Sequence, residues 1–185
     1  MIFVEGHDDK KFIKKLLEHL KKDQKITIKG KDRINFNNYL QKMKGKTKLL
    51  KYDEYKNITK TIENKKITKC LFIFDCDFEK DDNQRNGMEK SQACFDQLKK
   101  ELNWSISSDS YIFNRNLDYF LLTTLDEKDC YEHFKELVNC LKIKETRKNR
   151  KPIANLYRDL YPHPQFDFSH KNFDELKRKL VALFE

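Results

Sequence analysis

The fold of this chain is decided by one stretch, Lys69-Cys70-Leu71-Phe72-Ile73-Phe74-Asp75-Cys76-Asp77. Its uninterrupted apolar run is typical of a strand that is buried on both faces, as the strands of parallel sheets are. Two aspartates follow the run. Residues two apart along an extended chain point the same way, so Asp75 and Asp77 are predicted to present both carboxylates on one side.

The elements on either side of this strand predict an α/β fold. Strands are predicted at 1–4, 25–29, 69–74 and 110–113, and helices at 8–22, 32–43, 53–64, 87–102, 117–125, 128–141, 150–160 and 172–184. Strands that alternate with helices indicate one parallel sheet with helices on its faces. We therefore expect a three-layer α/β domain over 1–125, with roughly four parallel strands, and a helical C-terminal extension over 126–185 packed on it.

Composition limits the class of protein and the range of its partners. The five cysteines form no CxxC pair, which favours reduced thiols in a cytoplasm. No apolar stretch approaches the roughly 20 residues of a membrane span, and Glu5 interrupts the first apolar run, so neither a membrane segment nor a signal peptide is expected. The net charge of +9 favours a polyanion such as DNA or RNA, although an AT-rich genome also enriches lysine without selection for binding.

Acidic residues follow two of the predicted strands. Glu5-Gly6 comes after the first strand, and Asp75 and Asp77 come after the third. Ligand sites of open parallel sheets form beyond the carboxyl ends of the strands, so these carboxylates are predicted to share one site. Their hard oxygen atoms suit Mg²⁺ better than zinc. Gly6 has no Cβ and lets a ligand approach closely, and the start of the next helix could receive a phosphate.

The two acidic segments resemble the motifs of Toprim domains. Ile2-Phe3-Val4-Glu5-Gly6-His7-Asp8-Asp9 is similar to the first motif, an apolar strand followed by E-G-x-x-D, and Phe72-Ile73-Phe74-Asp75-Cys76-Asp77 is similar to the second, D-x-D. The resemblance covers roughly 1–125. It implies that Glu5 is a general acid or base and that Asp75 and Asp77 hold Mg²⁺, with Mn²⁺ as a substitute.

Two further acids take their expected roles from the same resemblance. Asp9 stands at the supporting acid position of the family and is predicted to assist the metal. Asp118, in Leu117-Asp118-Tyr119-Phe120-Leu121, is similar to the acidic helix start of small OLD-like Toprim proteins and is predicted as another metal ligand. That position usually carries a glutamate, and the aspartate here is a departure from the pattern.

Toprim domains occur in topoisomerases, bacterial primases, OLD-family nucleases, ribosomal-RNA maturase nucleases and recombination mediators. The chain is most similar to a small OLD-like or maturase-like protein, which implies a metal-dependent nuclease or phosphodiester-transfer protein acting on DNA or RNA. The alternative is a non-catalytic module that binds nucleic acid or a partner protein, and a homodimer fits either reading. Other D-x-D enzymes fit less well, since Glu79 stands where a haloacid-dehalogenase-type phosphatase has Thr or Val, and a nucleotide-sugar transferase has no use for Glu5-Gly6.

A basic run follows the predicted domain at 142–151. Cationic side chains in such a run can hold the phosphate backbone of a nucleic acid. A solvated helix face would produce the same pattern without any binding role. The residues predicted to contact nucleic acid are Gly6, Arg147, Lys148, Arg150 and Lys151.

Overall fold

The computed structural model describes residues 1–27, 34–64, 67–77, 86–124 and 168–185. Within them, four strands form one sheet in the order β2-β1-β3-β4, and every pairing is parallel. The strands are β1 (Ile2–Val4), β2 (Leu40–Lys42), β3 (Lys69–Asp75) and β4 (Ser107–Phe113). The expected fold class, a parallel sheet of about four strands flanked by helices, is therefore confirmed.

Helices and short 3-10 turns connect the strands and follow them. The helices are α1 (His7–Lys22), α2 (Lys46–Leu49), α3 (Lys56–Asn64), α4 (Met88–Leu102), α5 (Leu117–Leu122) and α6 (Asp174–Ala182), and the 3-10 turns are Phe36–Tyr39, Tyr52–Tyr55 and Lys171–Phe173. No helix of the described ranges is both long enough and apolar enough to cross a membrane.

The core lies on both faces of β3, whose apolar run is fully buried. On one face the rings of Phe3 and Phe72 stack with centroids 4.8 Å apart, and Phe95 of α4 packs against Phe72 at 5.2 Å. On the other face Phe12 of α1 meets Phe113 of β4 at 6.2 Å. Each fully buried Phe contributes on the order of 2–3 kcal/mol relative to an exposed one, so β3 is the element that ties the two helical layers together.

The order of the strands creates a switch point between β1 and β3. The chain leaves β1 toward β2 at one edge of the sheet, and it leaves β3 toward β4 at the other edge. Right-handed crossovers then place α1 on one face and the β3–β4 helix on the opposite face, as the contacts of Phe12 and Phe95 require. A crevice forms at the carboxyl ends of β1 and β3 in such a sheet, and it is the usual place for a ligand.

The second strand of the sheet differs from the prediction. The prediction of a helix over 32–43 is wrong for the described residues of that range, because they form the 3-10 turn Phe36–Tyr39 and then β2. Asn35 caps that turn by accepting the Asn37 N–H at 3.0 Å, which favours a turn over a helix start. The strand expected at 25–29 is not formed over residues 25–27, and its last two residues lie outside the described ranges.

The chain divides into two compact units. One consists of Met1–Asn116 with Asp174–Glu185 and contains the sheet, and the other is Leu117–Phe173. In the second unit the ring of Phe120 lies 5.3 Å from that of Phe173, and Asn172 donates a hydrogen bond to the Thr123 carbonyl at 2.9 Å. The helices predicted at 128–141 and 150–160 lie outside the described residues, and so do Arg147, Lys148, Arg150 and Lys151.

Candidate functional site

Glu5 lies at the switch point, directly after β1. Its Oε2 accepts a hydrogen bond of 3.2 Å from the backbone N–H of Asp75, the last residue of β3. The backbone N–H of Lys46 also acts on the Glu5 carboxylate and lowers its pKa. Glu5 and Asp75 were predicted to lie at the ends of adjacent strands, and this prediction is confirmed because β1 and β3 are paired neighbours.

The surroundings of Glu5 favour its protonated form. Burial is the largest cause, and together with the negative charges of Asp9 and Asp77 it raises the pKa of Glu5 from 4.5 to about 7. The two backbone N–H donors oppose this rise, because they stabilise the carboxylate. Burial and like charge outweigh them, so the structure holds a carboxyl group that is close to half-ionised near neutral pH.

Asp9 closes the first turn of α1 against Gly6. Its Oδ2 accepts the Gly6 N–H at 2.6 Å, and the residue is only 4% exposed. A Cβ at position 6 would lie 2.9 Å from that oxygen. Gly6 has an extended backbone with φ −125°, which any residue adopts, so the glycine is needed because Asp9 comes close to it. The predicted part of Asp9 in metal binding stays a prediction.

The backbone conformation that brings Asp77 to the site differs from the predicted one. Its φ of 57° lies in the left-handed region, so the chain is no longer extended there, and the alternation expected to align Asp75 with Asp77 does not apply. The Asp77 N–H donates to the Arg115 carbonyl at 2.7 Å, which fixes the turn. Asp77 nevertheless lies close enough to Glu5 for its charge to raise the pKa of that residue.

Lys46 is a member of the site that the sequence reasoning missed. It opens α2, and its side chain is only 10% exposed. The Lys46 Nζ donates to the Cys76 carbonyl at 2.9 Å, to Asn86 Oδ1 at 3.2 Å and to Asp77 Oδ2 at 3.4 Å. The pair Gly45-Lys46 would have indicated it, as a glycine and a cation after a strand, but this strand was predicted as part of a helix.

Cys76 lies between the two aspartates, and its surroundings indicate a structural role. Its thiol is buried, and Sγ accepts the Arg115 N–H at 2.9 Å. Burial raises the pKa of the Cys76 thiol above its ordinary value. A thiol in that state is a poor nucleophile near neutral pH, so the chemistry of this site belongs to its carboxylates and its ammonium group.

The acidic residues fit a hard divalent cation by donor type. Glu5, Asp75 and Asp77 offer carboxylate oxygens at one edge of the sheet, the ligands that Mg²⁺ prefers. As they stand, the described residues include no group of three or more His, Cys, Asp and Glu side chains that could hold a metal ion. One carboxylate, that of Asp77, is paired with the Lys46 ammonium. The chemistry of the donors fits, and in this arrangement a lysine holds one of them.

Asp118 belongs to the second compact unit rather than to the unit with the sheet. It lies in the first turn of α5 and is 6% exposed. A buried carboxylate in the first turn of a helix is favoured by the partial positive charge of the free N–H groups there. Its predicted role as a metal ligand stays a prediction.

No protein-family model matches this chain, and neither the curated proteins nor the solved structures contain a match to it. The function is therefore argued from the residues of the site and their geometry.

Proposed function

We propose that this protein is a metal-dependent nuclease or phosphodiester-transfer protein that acts on DNA or RNA, as its resemblance to Toprim domains implies. The observation that carries the proposal is Glu5, a carboxyl group with a pKa of about 7 that is held at the switch point of the sheet beside Asp75. A group with such a pKa can both take and give a proton near neutral pH, as general acid–base catalysis requires.

The residues of the site have distinct roles in this proposal. Glu5 passes a proton to or from the attacking or the leaving oxygen of the phosphodiester. Asp75 and Asp77 would hold Mg²⁺, or Mn²⁺ in its place, and Asp9 supports Glu5 through the first turn of α1. A bound ion would neutralise the charge of the phosphate and orient the phosphate oxygens.

A non-catalytic module that binds nucleic acid or a partner protein is the second candidate. The ion pair between Lys46 and Asp77 favours it, because the lysine neutralises one of the carboxylates without a metal. For either function we propose a cytoplasmic location, which is supported by the three described cysteines, all of them free.

Two substitutions that are expected to reduce cleavage in different ways test whether the protein is an enzyme. Glu5→Gln keeps the hydrogen bonds but cannot exchange a proton, so cleavage should fall about 10²–10⁴-fold at every metal concentration. Asp77→Asn weakens a charged ligand, so cleavage should recover in part as Mg²⁺ is raised. Glu101→Gln is the matched control, because Glu101 is exposed and bonded only within α4, and its activity should equal that of the unchanged protein.

The assay uses single-stranded and double-stranded DNA and RNA, with Mg²⁺ and with Mn²⁺, and records the melting temperature in parallel. A bound ion stabilises the folded state by mass action. Absence of cleavage on all four substrates, together with an unchanged melting temperature on adding metal, would refute the nuclease and support the binding module.

A further inference from the structure

Lys46 acts on both of the carboxylates to which the proposed function gives separate roles. Its backbone N–H lowers the pKa of Glu5, and its side-chain ammonium is paired with Asp77 Oδ2 at 3.4 Å. The three acceptors around its Nζ match the three N–H bonds of an ammonium group.

The backbone before Lys46 brings it to this position. The chain after β2 continues to pair with the β1 side, since the Met43 N–H donates to the Val4 carbonyl and the Gly45 N–H donates to the Glu5 carbonyl, both at 2.9 Å. Gly45 has a φ of 120°, a conformation that L side chains rarely adopt. The sharp turn at Gly45 therefore places the following residue over the carboxyl ends of β1 and β3.

The position of the Lys46 ammonium determines which oxygen of Asp77 is open to a divalent cation. The Lys46 side chain is 10% exposed, whereas that of Asp77 is 39% exposed, so the lysine sits on the inner side of the pair. An ion approaching from solvent finds the outer part of the Asp77 carboxylate, while Oδ2 is engaged by Nζ. Two cations that share one carboxylate repel each other, and this repulsion is strong where water is partly excluded.

We propose that Lys46 is a positioning residue that serves as the resident cation of the site. It holds Asp77 in the metal-free protein and yields Asp77 Oδ2 to a divalent ion, so it weakens metal binding while it keeps the site assembled. This inference rests on the proposed function, in which Asp77 is a metal ligand.

The test is metal binding without nucleic acid, measured as free Mn²⁺ by electron paramagnetic resonance. Lys46→Met removes the ammonium at similar side-chain length and leaves the backbone N–H in place, and it should bind Mn²⁺ about 10-fold more tightly. Lys46→Arg retains the charge and should bind within about threefold of the unchanged protein. Lys48→Met is the control, because Lys48 belongs to the same helix but is exposed and faces Glu54, and its affinity should not change.

A purely structural role predicts the opposite result, because Asp77 would lose its placement and Lys46→Met would bind Mn²⁺ more weakly. Equal or weaker binding by a folded Lys46→Met protein therefore overturns the inference, even if the unchanged protein cleaves nucleic acid. Tighter binding without cleavage supports the inference and counts against the nuclease. Absence of Mn²⁺ binding in both proteins overturns the inference and the metal site together.

A measurement on the metal-free protein tests the ion pair between Lys46 and Asp77 itself. Unfolding of the single variants Lys46→Met and Asp77→Asn and of the double variant is followed in EDTA. The two substitutions should be non-additive, because each removes the partner of the other. Additive effects would show that Lys46 does not hold Asp77 in solution, and the inference would fail.

Discussion

At the scale of single residues, the site is a balance between burial and hydrogen bonding at Glu5. Two backbone N–H groups stabilise its carboxylate, and burial with two neighbouring acids destabilises it. The second effect prevails, since the pKa lies near 7. Ionised Glu5 is therefore a cost to the fold, of the kind that proteins retain at functional sites.

The first prediction concerns the stability of the metal-free protein against pH. The pKa of Glu5 is 4.5 ordinarily and about 7 in the fold, so between these values the folded state binds the extra proton and stability falls as pH rises. Glu5→Gln should remove this slope. At about pH 8 the variant should be the more stable protein, by at most about 3 kcal/mol, and near about pH 4 the two should converge.

Denaturant unfolding in EDTA across this pH range measures the effect. Glu18→Gln is the control, because Glu18 lies on the exposed side of α1 beside Lys14 and Lys15, where ion pairs contribute less than about 1 kcal/mol. Parallel pH curves for Glu5→Gln and the unchanged protein would contradict the raised pKa of Glu5.

At the scale of elements, the junction of β1 and α1 places three features of the site within five residues. Glu5 faces β3, Gly6 makes room for a carboxylate, and Asp9 turns back to bond the Gly6 N–H. This bond satisfies a backbone donor that would otherwise be free at the helix start. The start of α1 and the acidic site are therefore one structural unit.

The second prediction is that Gly6→Ala destabilises the protein because of Asp9 alone. The new Cβ would lie 2.9 Å from Asp9 Oδ2, so the carboxylate must move and the capping bond weakens, at a cost of about 1–2 kcal/mol. In an Asp9→Ala background the same change should cost less than about 0.5 kcal/mol, since the clash is absent.

Urea unfolding of the two single variants and the double variant measures this coupling. An equal cost of Gly6→Ala in both backgrounds would mean that the glycine is needed for its backbone conformation. Its extended φ of −125° gives no reason for such a need.

At the scale of the whole molecule, a chain of net charge +9 carries a cluster of acids at one edge of its sheet. A nucleic acid backbone is repelled by such a cluster and attracted by lysine and arginine elsewhere. The sequence places a dense basic run at 142–151, outside the described residues. Binding and chemistry are therefore expected to depend on different residues.

The third prediction separates these two dependences. Joint replacement of Arg147, Lys148 and Arg150 by Gln should weaken nucleic acid binding for all sequences and reduce the salt slope by about 2–3 units, one for each lost phosphate contact. Binding in EDTA at several salt concentrations measures it.

The control carries the same loss of charge at another place, in Lys22, Lys99 and Lys100. These lysines lie in the last turns of α1 and α4. Both helices run back toward the amino ends of the parallel strands, away from the site at the carboxyl ends. An equal fall in salt slope in both triple variants would show that net charge, rather than the basic run, governs binding.

The sequence by itself determined the elements whose signal is local. The unbroken apolar run of β3 indicated a strand buried on both faces, and the helix predicted over 8–22 is α1. Its buried apolar residues recur every three to four positions, so both signals lie within short stretches of the chain. Two acids placed after strands then predicted the adjacency of Glu5 and Asp75, since the carboxyl ends of parallel strands meet at one edge of the sheet.

The tertiary structure alone decided β2, the turn at Asp77 and the position of Lys46. Leu40–Lys42 buries one residue of three, so its strand character comes from pairing with β1 and leaves no pattern along the chain. Lys46 depends on that strand for its position, and its partners Asp77 and Asn86 lie 31 and 40 residues away. Local periodicity reports burial, whereas contacts between distant residues exist only once the sheet has brought them together.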